Sequence, residues 1–176
     1  MVFKKIMNTK EYNFVDSLEI GKQGELIIKH FLEQTFDIVA DVSDIKEYQL
    51  QDIDYVCTKG NTSITIEVKT DTYKSGNLYY EYYSCLERQT EGCMQKTKAD
   101  IICYYFINTN ELYILNTEQF RLWVNKNLSR FRPSLVTNIM GTKVFHSQGY
   151  CVPKKFLENT FRYYKKIILK DVSSIC

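Results

Sequence analysis

QDIDYVCTKGNTSITIEVKTD, residues 51–71, is the stretch whose reading decides the fold. Two short apolar runs flank Lys59-Gly60-Asn61, the pattern of a β-hairpin. The arms nevertheless carry charge, Asp54 in the first and Glu67 with Lys69 in the second. Residues two apart on a strand share a face, so Glu67 and Lys69 point one way, with Thr65 continuing that face, and Val68 points the other. Pairing through the turn sets Asp54 across from them. Two carboxylates and a backbone carbonyl at one point are hard oxygen ligands of the kind Mg²⁺ takes while it keeps waters and accepts a phosphate. A lysine beside them can hold or deprotonate the attacking water, or neutralise charge on a pentacoordinate phosphorus. The plainer alternative makes Asp54 a surface turn residue and Glu67–Lys69 an ion pair on a solvated strand, worth little energetically.

The flanking segments frame this hairpin. Residues 17–35 start at Ser17, a good helix cap, and place Ile20, Gly24, Ile27, Ile28, Phe31 and Leu32 on one stripe, which predicts an amphipathic helix. Strands are predicted at 36–42, 53–58, 63–70 and 77–84, each enriched in β-branched or aromatic residues. Residues 99–117 read as two more strands joined at Asn108-Thr109-Asn110. Thr117 caps a helix over TEQFRLWVNKN, and Pro153 opens a last helix running to about Lys170. Residues 128–152, with Pro133, Gly141 and Gly149, read as irregular. That order predicts a single-domain α/β fold, a mixed β-sheet flanked by helices.

Asp54 followed by Glu67-Val68-Lys69 resembles the signature of the PD-(D/E)XK phosphodiesterase superfamily, in which an aspartate precedes an acid-x-Lys triplet on the next strand of a hairpin. The separation of 13 residues is similar to that in archaeal Holliday-junction resolvases and phage-type nucleases. Gly21-Lys22-Gln23-Gly24-Glu25 fits the family's first-helix Gly-x-x-x-Glu pattern. Ser75 to Glu81, and Lys96-Thr97-Lys98-Ala99-Asp100 before a strand, resemble the middle of restriction-type members. The likeness covers roughly residues 17–124. Ile53 stands where the family name has proline, and Asp52 is the nearest rival to Asp54, which has the better spacing and a continuing strand after it.

The resemblance implies a restriction-endonuclease-like fold and a divalent-metal-dependent nuclease acting on DNA with little sequence readout. It implies that Asp54, Glu67 and the carbonyl of Val68 hold Mg²⁺ or Mn²⁺, with Glu25 serving a second metal or its water. Lys69 would position the attacking hydroxide, and cleavage would leave a 5′-phosphate. Glu81 matches a family glutamate and is expected to pair with Lys98 behind the metal ligands. Alternatives within the same fold are a Holliday-junction resolvase, a catalytically inactive nucleic-acid or protein-binding domain, or a subunit that takes its specificity from a partner. Cutting both strands of a duplex or branched DNA would need two sites, hence a homodimer.

Composition sets the outer limits. A chain of 176 residues with 44% hydrophobic and 14% aromatic content suits one core. No run of about 18 apolar residues offers a membrane span, and the first residues hold no continuous apolar stretch, so a soluble, intracellular protein with reduced cysteines is expected. The six cysteines form no C-x-x-C pair and only two histidines accompany them, which argues against zinc. The net charge of +2 conceals an asymmetry: residues 121–170 hold 11 Lys or Arg against Glu158 alone. Such a basic part attracts a polyanion. Lys96 and Lys98, and on the last helix Lys154, Lys155, Arg162, Lys165 and Lys166, are the candidates for phosphate contacts. The tyrosines of 79–83 are expected to pack rather than stack on bases.

Overall fold

The computed structural model describes residues 11–140 and 142–170, and side chains from Leu18 onward except that of Met140. In chain order, β1 (Glu11–Asn13) and α1 (Phe14–Glu33) lead to β2 (Ile38–Asp41), α2 (Lys46–Gln49), β3 (Tyr55–Lys59) and β4 (Thr62–Asp71). β5 (Asn77–Cys85), β6 (Thr90–Glu91) and the one-turn α3 (Cys93–Lys96) precede β7 (Ile101–Phe106), β8 (Glu111–Asn116) and α4 (Thr117–Asn127). β9 (Arg132–Met140), β10 (Lys143–Pro153), α5 (Lys154–Thr160) and β11 (Tyr164–Ile168) complete the α/β domain.

The quoted hairpin forms as expected, with Lys59 opposite Thr62 and Gly60 at φ +57° in the two-residue loop, a conformation that favours glycine. It belongs to a mixed six-stranded sheet of order β11-β8-β7-β4-β3-β2, in which β4 and β7 run parallel. The two faces of this sheet bury different sets of side chains. Ile66 and Val68 of β4, Cys103 and Tyr105 of β7 and Leu112 of β8 pack with Ile27, Ile28 and Leu32 of α1. Ile102, Tyr104, Phe106, Tyr113 and Leu115 face the other way, against β5, α4 and α5. By the two-residue period, Glu67, Lys69 and Asp71 lie on that second face.

A second sheet, order β1-β9-β10-β5-β6, faces it. This departs from the single sheet predicted, and the cause is local. Residues 128–152, expected to be irregular, form the β9–β10 hairpin, nine and eleven residues long. Leu135, Val136, Thr137 and Ile139 pair with Gln148, Ser147, His146 and Val144, so the β-forming side chains outweigh the breakers. Gly149 serves close packing: a Cβ there would lie 2.5 Å from the Tyr80 carbonyl oxygen.

Two helix expectations also change. α1 begins at Phe14, which puts Ser17 inside it rather than at its cap. The last helix stops at Thr160, because Phe161 turns extended and buries its ring, and residues 164–168 add to β8 as an edge strand. Tyr164 and Ile167 satisfy that strand as well as they would a helix. Among the described residues no helix is long and apolar enough to cross a membrane. Cys57 and Cys103 are buried as small hydrophobes, and the described cysteines are free thiols.

Candidate functional site

The β3–β4 ladder sets Tyr55 against Ile66, so one step further it sets Asp54 against Glu67. The Asp54 N–H donates to the Ile66 carbonyl at 2.9 Å, while its carboxylate turns to β4 and accepts the Val68 N–H at 2.7 Å. The N–H and C=O of one residue leave a strand on the same edge, so the Val68 carbonyl is directed to the Asp54 side as well. The Asp54 and Glu67 carboxyls are hydrogen-bonded to each other. Burial first, and then the Asp54 charge, pushes Glu67 well above the usual carboxylate range. Burial also raises Asp54, against the pull of the Val68 N–H and the Glu67 bond. Glu67 is only 9% exposed, so the solvated-strand alternative is not what folds.

Lys69 follows on the same face. The neighbouring Cys93 is the first influence raising the ammonium above its ordinary value; burial opposes this, and Glu81 and Glu67 add to it. Burial pushes the Cys93 thiol itself up to about 12, so at neutral pH the sulfur is uncharged. The charges facing Lys69 there are those of the acids, and Lys69 stays protonated.

Glu25 reaches the site from the opposite face of the sheet. Gly24 lets α1 come this close, since a Cβ at that position would lie 1.9 Å from Thr70 Oγ1. Gly21, the glycine of the Gly-x-x-x-Glu pattern, has open space around it and is not required for packing. Burial raises the Glu25 carboxyl, followed by the charges of Asp54 and then Asp41, which ends β2. The Tyr55 hydroxyl donates to the Glu25 carbonyl at 3.1 Å, tying helix to hairpin. Asp52 does not extend the strand that Asp54 leads into: it sits in a turn at φ +48° and binds Lys96 at 2.9 Å. Its Oδ2 and the Thr70 Oγ1 are buried without a hydrogen-bond partner.

The supporting residues rearrange. Glu81 does not pair with Lys98; its carboxylate accepts the Cys93 N–H at 3.1 Å and acts on Lys69. Lys98 instead lines an open pocket at the start of α4 with Asp100, Glu118 and Arg121. Lys96 lies at the end of α3 rather than on a strand. Of the basic candidates, Lys154 is buried, ion-paired with Glu111, and 3.5 Å from the centre of the Phe106 ring. Lys166 binds Glu111 and Glu158, both at 2.9 Å. Lys154 is thereby removed from any free phosphate-binding surface, and Lys166, though exposed, is engaged by two acids. Lys155, Arg162 and Lys165 remain exposed. Lys165 and Lys166 lie on a strand rather than on the last helix, where as neighbours they point to opposite faces.

Cys93 and Asp41 are the members of this neighbourhood that the sequence did not suggest. Cys93 lies in a four-residue helix with no periodicity to read, and Asp41 differs from any other acid ending a strand only through its register opposite Tyr55. Among the described residues no three Asp, Glu, His or Cys side chains converge in a metal-ligating arrangement. The donor chemistry at the hairpin nonetheless fits a hard divalent cation. Two carboxyls that share a proton, beside a backbone carbonyl, gain from a cation that takes the proton's place. Neither a protein-family model nor a curated protein matches the chain.

Proposed function

We propose that the protein is a divalent-metal-dependent nuclease that hydrolyses DNA phosphodiester bonds on a restriction-endonuclease-like fold. The observation that carries this reading is the pairing of the Asp54 and Glu67 carboxyls across one hairpin, with Lys69 a single step further on the same face. Asp54, Glu67 and the Val68 carbonyl would hold Mg²⁺ or Mn²⁺, which when bound supplies charge neutralisation at the phosphoryl oxygens and a more acidic water.

The chain's own groups divide the remaining work. Asp54 is oriented by the Val68 N–H, and the bond its carboxyl shares with Glu67 would give way to the cation. Lys69, held protonated, orients the attacking water and offsets the negative charge developing on phosphorus; it is not a base at neutral pH. Glu25, acted on by Asp54 from across the sheet, holds water on the far side of that carboxylate. Lys155, Arg162 and Lys165 meet backbone phosphates without reading bases. Each chain brings one such site, so cutting both strands calls for two copies.

The test is cleavage of linear duplex, single strand, flap, four-way junction and RNA in Mg²⁺, Mn²⁺ or EDTA. Metal-dependent cutting, abolished by Lys69→Ala with DNA binding retained, is the expected result, and the preferred substrate separates a junction resolvase from a general endonuclease. A second reading, an inactive binding domain, is favoured by the absence of a preformed group of three ligands among the described residues. Binding to the same substrates with no cutting in any metal would select it.

A further inference from the structure

The chain leaves α5 through Phe161-Arg162-Tyr163-Tyr164, and its rings divide there. Phe161 is 2% exposed and stacks on Tyr164 at 6.3 Å, beside the core that holds Ile102 and Leu115. Tyr163 is left outside at 59% exposure, the one exposed aromatic among the described side chains. Its place is nonetheless set. The Tyr163 carbonyl accepts the N–H of Asn116, the cap of α4, at 3.0 Å, and its ring meets that of Phe161 at 6.0 Å and 56°. A single exposed tyrosine is ordinary on a protein surface; its setting here is not. Arg162 precedes it and Lys165 follows, both exposed and neither ion-paired among the described residues. The ladder also connects this turn to the hairpin. Tyr164 pairs with Leu115, Leu115 with Ile102 and Ile102 with Glu67, so the four stand level across β11, β8, β7 and β4. Three strand spacings span roughly 14 Å. Phe161, against which Tyr163 rests, packs with Ile102 on the face of the sheet that carries Glu67.

We propose that Tyr163 is a stacking platform for an unpaired DNA base, so that the preferred substrate is a duplex carrying a single-stranded arm beside the phosphate held at Glu67. This rests on the nuclease reading of the hairpin. In a continuous duplex each base face is covered by its neighbours, and Arg162 and Lys165 reach phosphates alone. Where the duplex gives way to a single-stranded arm, an unstacked base presents a π-face, and an aromatic ring accepts that face whichever base it is. The cations on either side keep the backbone of that arm at the ring by charge complementarity. Tyr163 thereby selects armed over continuous DNA without reading sequence.

The test is binding in EDTA, which keeps the DNA uncut, followed by fluorescence anisotropy on three DNAs: a flap, the same flap with an abasic arm, and a continuous duplex. Wild type should bind the flap at least about tenfold more tightly than the other two, the scale of one stacked base. Tyr163→Ala should lose about tenfold on the flap and less than about twofold on the abasic flap and the duplex. Tyr163→Phe should keep the preference, because the ring stacks and the hydroxyl does not. The salt slope on duplex should be the same in Tyr163→Ala as in wild type, since no charge is removed. A Tyr163→Ala protein that binds the flap as wild type does, one that loses equally on all three DNAs, or a preference that phenylalanine does not retain overturns the proposal. A flap preference that depends on Tyr163 in a protein that cuts no DNA in Mg²⁺ or Mn²⁺ upholds the platform and rejects the nuclease reading. Metal-dependent cutting by a protein whose binding ignores Tyr163 does the reverse.

Discussion

Glu67 is the residue where folding and the proposed chemistry conflict. A carboxyl with its value raised by the fold contributes stability that is fully present below its ordinary value of 4.5 and is lost as pH rises through the raised folded value. The metal-free protein therefore carries a destabilised acid at neutral pH. Glu67→Gln should be the more stable protein there, with a gap over wild type that widens with pH by up to about 1.4 kcal/mol per unit until Glu67 is ionised. Chemical denaturation of both proteins from pH 4 to 9 measures this; a wild type as stable as the variant throughout would show that Glu67 is not strained. The same shared proton gives a second expectation. Mg²⁺ or Mn²⁺ binding should release protons, seen as a binding enthalpy that varies with buffer ionisation in calorimetry, and Asp54→Asn or Glu67→Gln should abolish that release.

At the scale of elements, α1 and β4 meet where Gly24 passes Thr70, and the position of Glu25 depends on that approach. Gly24→Ala must push the helix or the strand aside, since Thr70 is β-branched and cannot swing away. The cost should be about 1–3 kcal/mol, the range for overpacking, and Thr70→Ala in the same protein should restore part of it. Thermal melts of the single and double variants decide the matter, with equal losses in both counting against the contact. The hairpin, its charges and α1 were legible in the sequence because they depend on local rules: a two-residue turn, a period of two, a stripe of period near four. β11 was not, because Tyr163-Tyr164-Lys165-Lys166-Ile167-Ile168 fits either period until β8 offers an edge. The β9–β10 hairpin was hidden for a related reason, as Pro133 and Gly149 are breakers only where nothing pairs with them or packs close. The partners of Glu81 were out of reach for another: which acid meets which donor is set by contacts between the two sheets, and no spacing encodes those.

Across the whole molecule, the basic C-terminal part divides into structural and free charge. Lys154 and Lys166 close a network on Glu111, whose carboxyl, although burial alone would raise it, is held down at about 2 by the two ammoniums. That contribution is present above the ordinary 4.5 and disappears only as pH falls toward about 2, opposite in sign to the contribution of Glu67. Lys154 is buried while Glu111 is half-buried and keeps Lys166, so Lys154→Ala should lower the denaturant midpoint without saying anything about DNA. The free cations are a separate matter. β11 lies three strands from β4, roughly 14 Å at the usual strand spacing. On the nuclease reading, that is about four nucleotide steps along one strand of a duplex, within reach of a DNA whose scissile phosphate would lie at Glu67. Each phosphate neutralised contributes about 0.9 to the slope of log affinity against log salt. Replacing Lys155, Arg162 and Lys165 together by alanine should therefore flatten that slope by about 2 to 3 between 50 and 200 mM salt, on the ~0.9 per contact scale, while kcat at saturating DNA stays close to wild type. Fluorescence anisotropy titrations supply the slope. An unchanged value would mean that the duplex leaves the Glu67 face on another side, with its phosphates met by cations of the β9–β10 hairpin such as Arg132 and Lys143 instead.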